Sequence, residues 1–363
     1  MDEGMIHFGS WLGSPGTANL IEATRPYRYP VPPSLQRLRL KEWRAVQAGD
    51  EDYFLCAVLY DAKFMSMASL DLWDRKGRLS YGFRKIFPGS RFSLPADLWP
   101  RSTIAETADC RARIELGPEP GVLRLDFSNK PRGADAIELD LEFRVAAPGA
   151  SAFSVCLPFG TNRAMYSTKA LSPCSGSLRI GSRVHSFAAS SALAVLDDHK
   201  GYYPYHLHYD WATGFGYSLR GSPIGFNLTD NQVADQARFN ENRLWLEGEI
   251  LPLPPVKFFR PSGRSGPWVI RDSGGGFADA GAGSGADPAG LDGAIGAVET
   301  SPLYVDLVFH PEVDHDIDVK LGIAEIDYAG PFGRFEGWLK APDGRVIRAE
   351  DLYGMGEDKR VRL

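Results

Sequence analysis

The sequence predicts an all-β fold: two consecutive barrels or packed antiparallel sheets, with few short helices. Three observations predict it. First, apolar and polar residues alternate with period two in many short runs. The run Ile137-Glu138-Leu139-Asp140-Leu141-Glu142-Phe143-Arg144-Val145 is apolar at every odd position, which puts every apolar side chain on one face. Second, the 39 glycines and 26 prolines make up about 18% of the 363 residues, against about 12% in average usage. Turns must therefore come often. Third, helical periodicity is scarce and confined to short stretches near Ser34 to Val46 and Ser190 to Asp198.

The elements follow in order. Tyr53 to Tyr60 is an apolar run of strand length, and Phe64 to Trp73 alternates into the turn Asp74-Arg75-Lys76-Gly77. Arg111 to Leu116 and Val122 to Phe127 flank a Gly-Pro-Glu-Pro-Gly turn. Gly176 to Ser186 reads as a hairpin with Leu178, Ile180 and Val184 facing inward. Leu244 to Leu251 is strand, turn, strand. Tyr304 to His310 alternates, with Val305, Leu307 and Phe309 apolar. Arg334 to Lys340 and Val346 to Leu352 flank the turn signal Pro342-Asp343-Gly344.

So many evenly spaced strands exceed one eight-stranded barrel, and two barrels or sheet halves suit the length. The expected organisation is an extension at 1–50 packing on the barrels, a first β domain at 51–150 and a second at 151–363. The break falls in the small-residue stretch Ala146 to Ala152. Asp272 to Thr300 holds nine glycines in 29 residues, five acids and no base. Such a segment buries too little to offset its ordering entropy, so a flexible surface insertion is expected.

Composition excludes several functions. The net charge is −6 and no long basic stripe occurs, so no nucleic-acid partner is expected. No run of about 20 apolar residues exists to span a bilayer. Met1 to Gly16 has no apolar core of signal-peptide length, which makes the cytoplasm the expected location. For the same reason, the glycosylation match at Asn227-Leu228-Thr229 is read as chance. Cys56, Cys110, Cys156 and Cys174 form no Cys-x-x-Cys pair and read as small buried hydrophobes. There is no phosphate-binding Walker loop and no Gly-x-Ser-x-Gly elbow, and Gly214-Phe215-Gly216 lacks the third glycine of a dinucleotide fingerprint. No cofactor is expected.

The densest chemistry lies in Asp197 to Trp211, where fifteen residues hold three histidines, three aspartates, four tyrosines and a tryptophan. In a strand, His206, His208 and Asp210 share one face, and Tyr205, Leu207, Tyr209 and Trp211 the other. The polar face has three readings. His206, His208 and Asp210 can hold a metal such as zinc. They can act as acid and base on a ligand in a barrel lumen. Or they are solvated strand residues. A second cluster joins Asn227 to Asn240-Glu241-Asn242. A buried carboxylate between two amides has a raised pKa and can donate a proton. The same triplet also suits a turn whose amides satisfy backbone groups.

The ordered motifs resemble a family, the domain of unknown function 2804. They run Leu157-Pro158-Phe159, Tyr166-Ser167-Thr168-Lys169, Gly176, Asp198, Gly201-Tyr202-Tyr203-Pro204-Tyr205, Trp211-Ala212 and Gly225-Phe226-Asn227-Leu228-Thr229. Next come Asn240-Glu241-Asn242, Leu244-Trp245, Gly248, Trp268, Asp306-Leu307-Val308-Phe309-His310-Pro311, Phe332-Gly333-Arg334-Phe335-Glu336-Gly337 and Gly356-Glu357. His206, His208 and the glycine-rich insertion stand outside the pattern. By analogy the family is similar to the lipocalin-like double-barrel proteins, among them carotenoid hydratases and tocopherol cyclases. That likeness implies two lipocalin-like barrels and an apolar pocket worked without a redox cofactor.

The expected function is a cofactor-independent lyase, isomerase or hydratase acting on a hydrophobic small molecule. Asp198, His206 and Glu241 are the expected acids and bases. Lys169, His208, Asn227 and Asn242 would orient the polar end of the ligand, and Tyr203, Tyr205 and Trp211 would line its pocket. The competing readings are a carrier of a lipid or pigment, a carbohydrate-active β protein, and a metal-dependent enzyme using His206, His208 and Asp210.

Overall fold

The computed structural model describes residues 4–13, 18–27, 29–92, 94, 102–116, 121–130, 135–144, 152–272, 303–321, 324–350 and 352–362. The protein is all-β: it is 64% strand, and its single α-helix among the described residues is Pro33–Arg39. The chain divides into two compact units, Met1–Tyr203 and Pro204–Leu363. Among the described residues, each carries one curled antiparallel sheet, of 13 strands in the first unit and 12 in the second.

In the first unit the hydrogen-bonded order starts with Leu79–Pro88, Met65–Asp74, Tyr53–Asp61, Lys41–Gly49 and Leu193–Gly201. It continues through Arg163–Ile180, Ile137–Arg144, Val122–Asn129 and Cys110–Leu116 to Ser102–Thr107. The long strand Arg163–Ile180 links the two halves. Its first part pairs with Leu193–Gly201 and its second with Ile137–Arg144. Gly176 sits at that second junction with φ +150, and a Cβ there would stand 1.9 Å from the Asp140 carbonyl oxygen. Only glycine permits that approach.

One face of this sheet carries the apolar core of the unit. Val46, Ala48, Leu55, Leu59, Leu70, Leu125, Leu141 and Leu196 all belong to its buried core. Ile137–Arg144 shows why the alternation was legible: its apolar residues are buried and its charged ones exposed, in strict succession. In the second unit, Leu244, Trp268, Leu307, Phe309, Phe335 and Leu339 form the corresponding core.

Several expectations need correction. Leu193–Gly201 is a strand, not a helix. Every one of its residues is buried, so its apolar half, Leu193 to Leu196, shows no alternation and cannot be told from a buried helix by period alone. The helix expected up to Val46 stops at Arg39, and Lys41–Gly49 is another strand buried along nearly its whole length. Residues 41–49 are therefore a central strand and not part of an extension. The strands of 152–201 hydrogen-bond into the first sheet. The division thus falls after Tyr203 and not near residue 150. Val184 is exposed, because it pairs with Arg179 on the face opposite Leu178 and Ile180. The glycine-rich run after Asp272, the turn at 117–120 and the expected break at 146–151 lie outside the described residues.

Candidate functional site

The strand Leu193–Gly201 lies between Arg163–Ile180 and Lys41–Gly49, and it carries charge on both faces. Asp197 and His199 point away from the apolar core, on the side shared by Lys169, Ser167 and Trp43. Lys169 Nζ donates to Asp197 Oδ1 at 2.7 Å and lies 3.4 Å from His199 Nε2. His199 Nε2 is 3.2 Å from the same carboxylate oxygen. The other ring nitrogen, Nδ1, is 3.1 Å from the Tyr203 hydroxyl. Lys169, Asp197, His199 and Tyr203 are all buried.

Aromatic rings wall this cluster. The Trp43 indole stacks on His199, with centroids 4.4 Å apart and planes 6° from parallel, and its N–H bonds to Asp197. Tyr203 stacks on Trp43 at 5.6 Å and meets Phe159 at 5.7 Å. Trp43, Tyr60 and Phe159 stay partly exposed, so the buried polar groups border an accessible aromatic edge. Gly201 makes room for this packing: a Cβ there would meet the Tyr203 ring at 2.7 Å. Burial works to raise the Asp197 carboxyl, but Lys169 and His199 overcome it and hold Asp197 below the ordinary carboxylate range. Further along the same face, burial pushes Asp71 up to about 6, against the pull of Arg84.

The core-facing side of the same strand carries Asp198 and Lys200. Asp198 Oδ1 accepts from Arg44 Nε at 3.0 Å, and both side chains are fully buried. Arg44 also donates to Thr103 at 3.3 Å. Lys200 pairs with Glu42 at 2.9 Å, and Lys63 bridges Glu42 and Asp61.

The second unit holds a different network. Arg260 donates to Asp210 at 2.7 Å and lies over the Trp268 ring. Arg264 joins Asp358, at 2.9 Å, to Asp327. Trp211 Nε1 donates to Asn227 Oδ1 at 2.7 Å, while Asn227 Nδ2 donates to the Glu241 carbonyl at 2.8 Å. Asn242 accepts from the Thr229 amide and donates to the Pro254 carbonyl. Glu241 is buried beside Arg243, whose guanidinium burial lowers to about 10 against the opposing charge of Glu241.

The structure therefore divides the residues expected from the sequence. Lys169 and Tyr203 converge with each other. Asp198 lies across the same strand from them, facing the core. Trp211, Asn227, Glu241 and Asn242 converge in the second unit, where the two amides are committed to backbone and indole partners. His206 and Tyr205 are exposed and meet edge to face. His208 is half exposed.

The expected metal set changes too. His208 and Asp210 meet Asp358, not His206, with ligand atoms within 4.8 Å of one another. Arg260 and Arg264 already neutralise those carboxylates, and a divalent cation would have to face both guanidinium groups. The donor set fits an ion-pair network better than a metal centre. The sequence reading counted Asp197 and His199 in the dense ribbon without giving either a role, and it gave none to Trp43 and Arg44. The period-two rule applied to Asp197 and His199 would have put them on one face, but nothing in the sequence tied them to Lys169 or Trp43.

The family model described as Domain of unknown function (DUF2804) matches residues 23–280 and 297–363, and the chain belongs to that family. No curated protein matches it. Among solved structures, the chain is similar to kievitone hydratase from Nectria haematococca. The match covers 89% of this chain and 88% of that one, at 12% identity and a TM-score of 0.47. No helix of the described residues is long and apolar enough to cross a membrane.

Proposed function

We propose that this protein is an acid–base catalyst of the lyase, isomerase or hydratase type, acting on a hydrophobic small molecule without a resident cofactor. One observation carries the reading: Lys169, Asp197, His199 and Tyr203 are joined by hydrogen bonds on one buried, aromatic-walled face. Burying four ionisable groups together is costly unless they are paired, and such clusters concentrate at functional sites.

The roles follow from the chemistry of each group. Histidine changes charge near neutral pH, so His199 carries the proton. The Tyr203 hydroxyl, bonded to His199 Nδ1, passes that proton to or from the substrate. Asp197 balances the imidazolium when it forms, and Lys169 holds Asp197 in place. Trp43, Tyr60 and Phe159 offer ring faces to an apolar substrate and to any cationic intermediate. Asp198, His206 and Glu241 take no proton-transfer part in this reading. Asp198 is locked to Arg44, His206 is exposed, and Glu241 sits among committed amides. A reducing compartment such as the cytoplasm accords with four cysteines, none of them in a disulfide. The net charge of −6 argues against a nucleic-acid partner.

The test is an untargeted conversion screen. Apolar metabolite extracts are incubated with the protein and with His199→Gln and Tyr203→Phe variants, then compared by mass spectrometry. The expected result is conversion of a compound with no mass change or a change of one water. His199→Gln should slow it about 10²- to 10⁴-fold. Conversion that both variants retain at full rate overturns the assignment, as does the absence of any conversion by the unmodified protein.

A further inference from the structure

We infer that the core-facing side of the first unit holds a binding site for an apolar molecule ending in a hydroxyl group. The site lies across the sheet from His199 and does not depend on the proposed catalytic role. It is built from a row of side chains in register on four neighbouring strands: Ser154, Thr168, Asp198 and Arg44. All four are buried. Ser154 Oγ donates to the Gly13 carbonyl at 2.7 Å and bonds to Thr168 Oγ1 at 2.8 Å, and the Tyr166 hydroxyl bonds to Thr168 at 2.5 Å, so the three hydroxyls have partners.

Arg44 and Asp198 do not complete their bonding. Nε and Oδ1 make the pair, and Nη1 reaches Thr103. Arg44 Nη2 and Asp198 Oδ2 have no hydrogen-bond partner among the described residues, although both side chains are fully buried. A buried charged donor and a buried charged acceptor left open within one ion pair are each expensive. They ask for one group that accepts from Nη2 and donates to Oδ2.

That demand selects the ligand chemistry. A carboxylate would meet the Asp198 charge, and an ammonium would meet Arg44. An ether or ketone accepts but cannot donate, which leaves Oδ2 open. A hydroxyl does both and is small. The next row on the same face is apolar, and its members include small residues: Ala170, Leu196, Val46, Ala57 and Leu70. An alkyl or ring body attached to the hydroxyl would lie along that row.

Two probes of equal bulk separate the possibilities: 1-octanol, which donates and accepts, and octyl methyl ether, which only accepts. Binding to the full chain is followed by titration calorimetry. The protein is expected to hold the alcohol about tenfold more tightly than the ether. A double variant, Arg44→Met with Asp198→Leu, removes both charges at similar volume and should fold, since such replacements of buried pairs are often neutral or stabilising. It is expected to lose the preference. Binding of neither probe to the unmodified protein means that water alone fills the gap and overturns the inference. Equal binding of the two, or a preference that survives the double variant, overturns it as well. Should the double variant fail to fold, the alcohol-to-ether ratio of the unmodified protein decides alone.

Discussion

The Lys169–His199 cluster of the first unit and the Asp210–Asp358 network of the second are made from similar residue types, yet they differ in what their protons can do. In the second-unit network three carboxylates are held by arginines: Asp210 by Arg260, and Asp358 and Asp327 by Arg264. Arginine stays protonated at any ordinary pH, so these arginine–carboxylate pairs fix charge and geometry and do not themselves relay a proton. In the first unit the partners are a lysine, a histidine and a tyrosine, all of which can exchange protons. Burial alone therefore does not mark a catalytic site. The identity of the cationic partner separates a clamp from a relay.

The sharpest way to break this contrast is to disable the relay. His199→Gln keeps two polar atoms but removes the titration, and turnover of the true substrate should fall about 10²- to 10⁴-fold with little change in Tm. The amide network of the second unit should answer in the opposite way. Asn227→Leu leaves the Trp211 indole N–H and the Glu241 carbonyl without their partner. It should cost about 3 kcal/mol in urea unfolding while turnover per folded molecule stays unchanged.

The pH dependence of stability should differ in sign between Asp358 and Asp71. For Asp358, burial raises the carboxyl, but Arg264, Arg260 and Arg360 outweigh it and leave it below its ordinary value. The stability it contributes is complete above its unfolded pKa and is lost as pH falls through the lower folded pKa. Asp358→Asn should flatten that acid loss. For Asp71, burial raises the folded pKa to about 6. The folded state then binds the proton more tightly than the unfolded one, so stability declines as pH rises from the unfolded value through about 6. Asp71→Asn should gain about 2 kcal/mol at pH 8 and almost nothing at pH 4, measured by urea unfolding at each pH. The smallest effect belongs to His208→Ala. Its imidazole is half exposed at the edge of the clamp, and stability should move by no more than about 0.5 kcal/mol.

Much of the fold was legible because half-buried strands write their geometry into the sequence. Ile137–Arg144 alternates apolar and charged residues and is buried and exposed in the same rhythm. Leu193–Gly201 hid itself for the opposite reason, since residues on both of its faces are buried and no period survives. Its misreading also hid the site. Taken as a helix, the segment up to Asp198 could not place Asp197 and His199 on one face. The ribbon from Asp197 to Trp211 looked like a single cluster, but the chain changes units between Tyr203 and Pro204, which no local pattern announces. Lys169 and Tyr203 were found as polar or aromatic residues in promising company. Arg44 and Trp43 were not, because Asp198 and His199 lie more than 150 positions away from them in sequence and only strand register brings them together.

Proton transfer at carbon can be watched directly in deuterated water. The protein, incubated there with the apolar metabolite that it converts, should place deuterium from solvent on a carbon atom of the recovered compound, and His199→Gln should not. Recovery of unlabelled product from the unmodified protein, or equal labelling by the variant, would contradict the account.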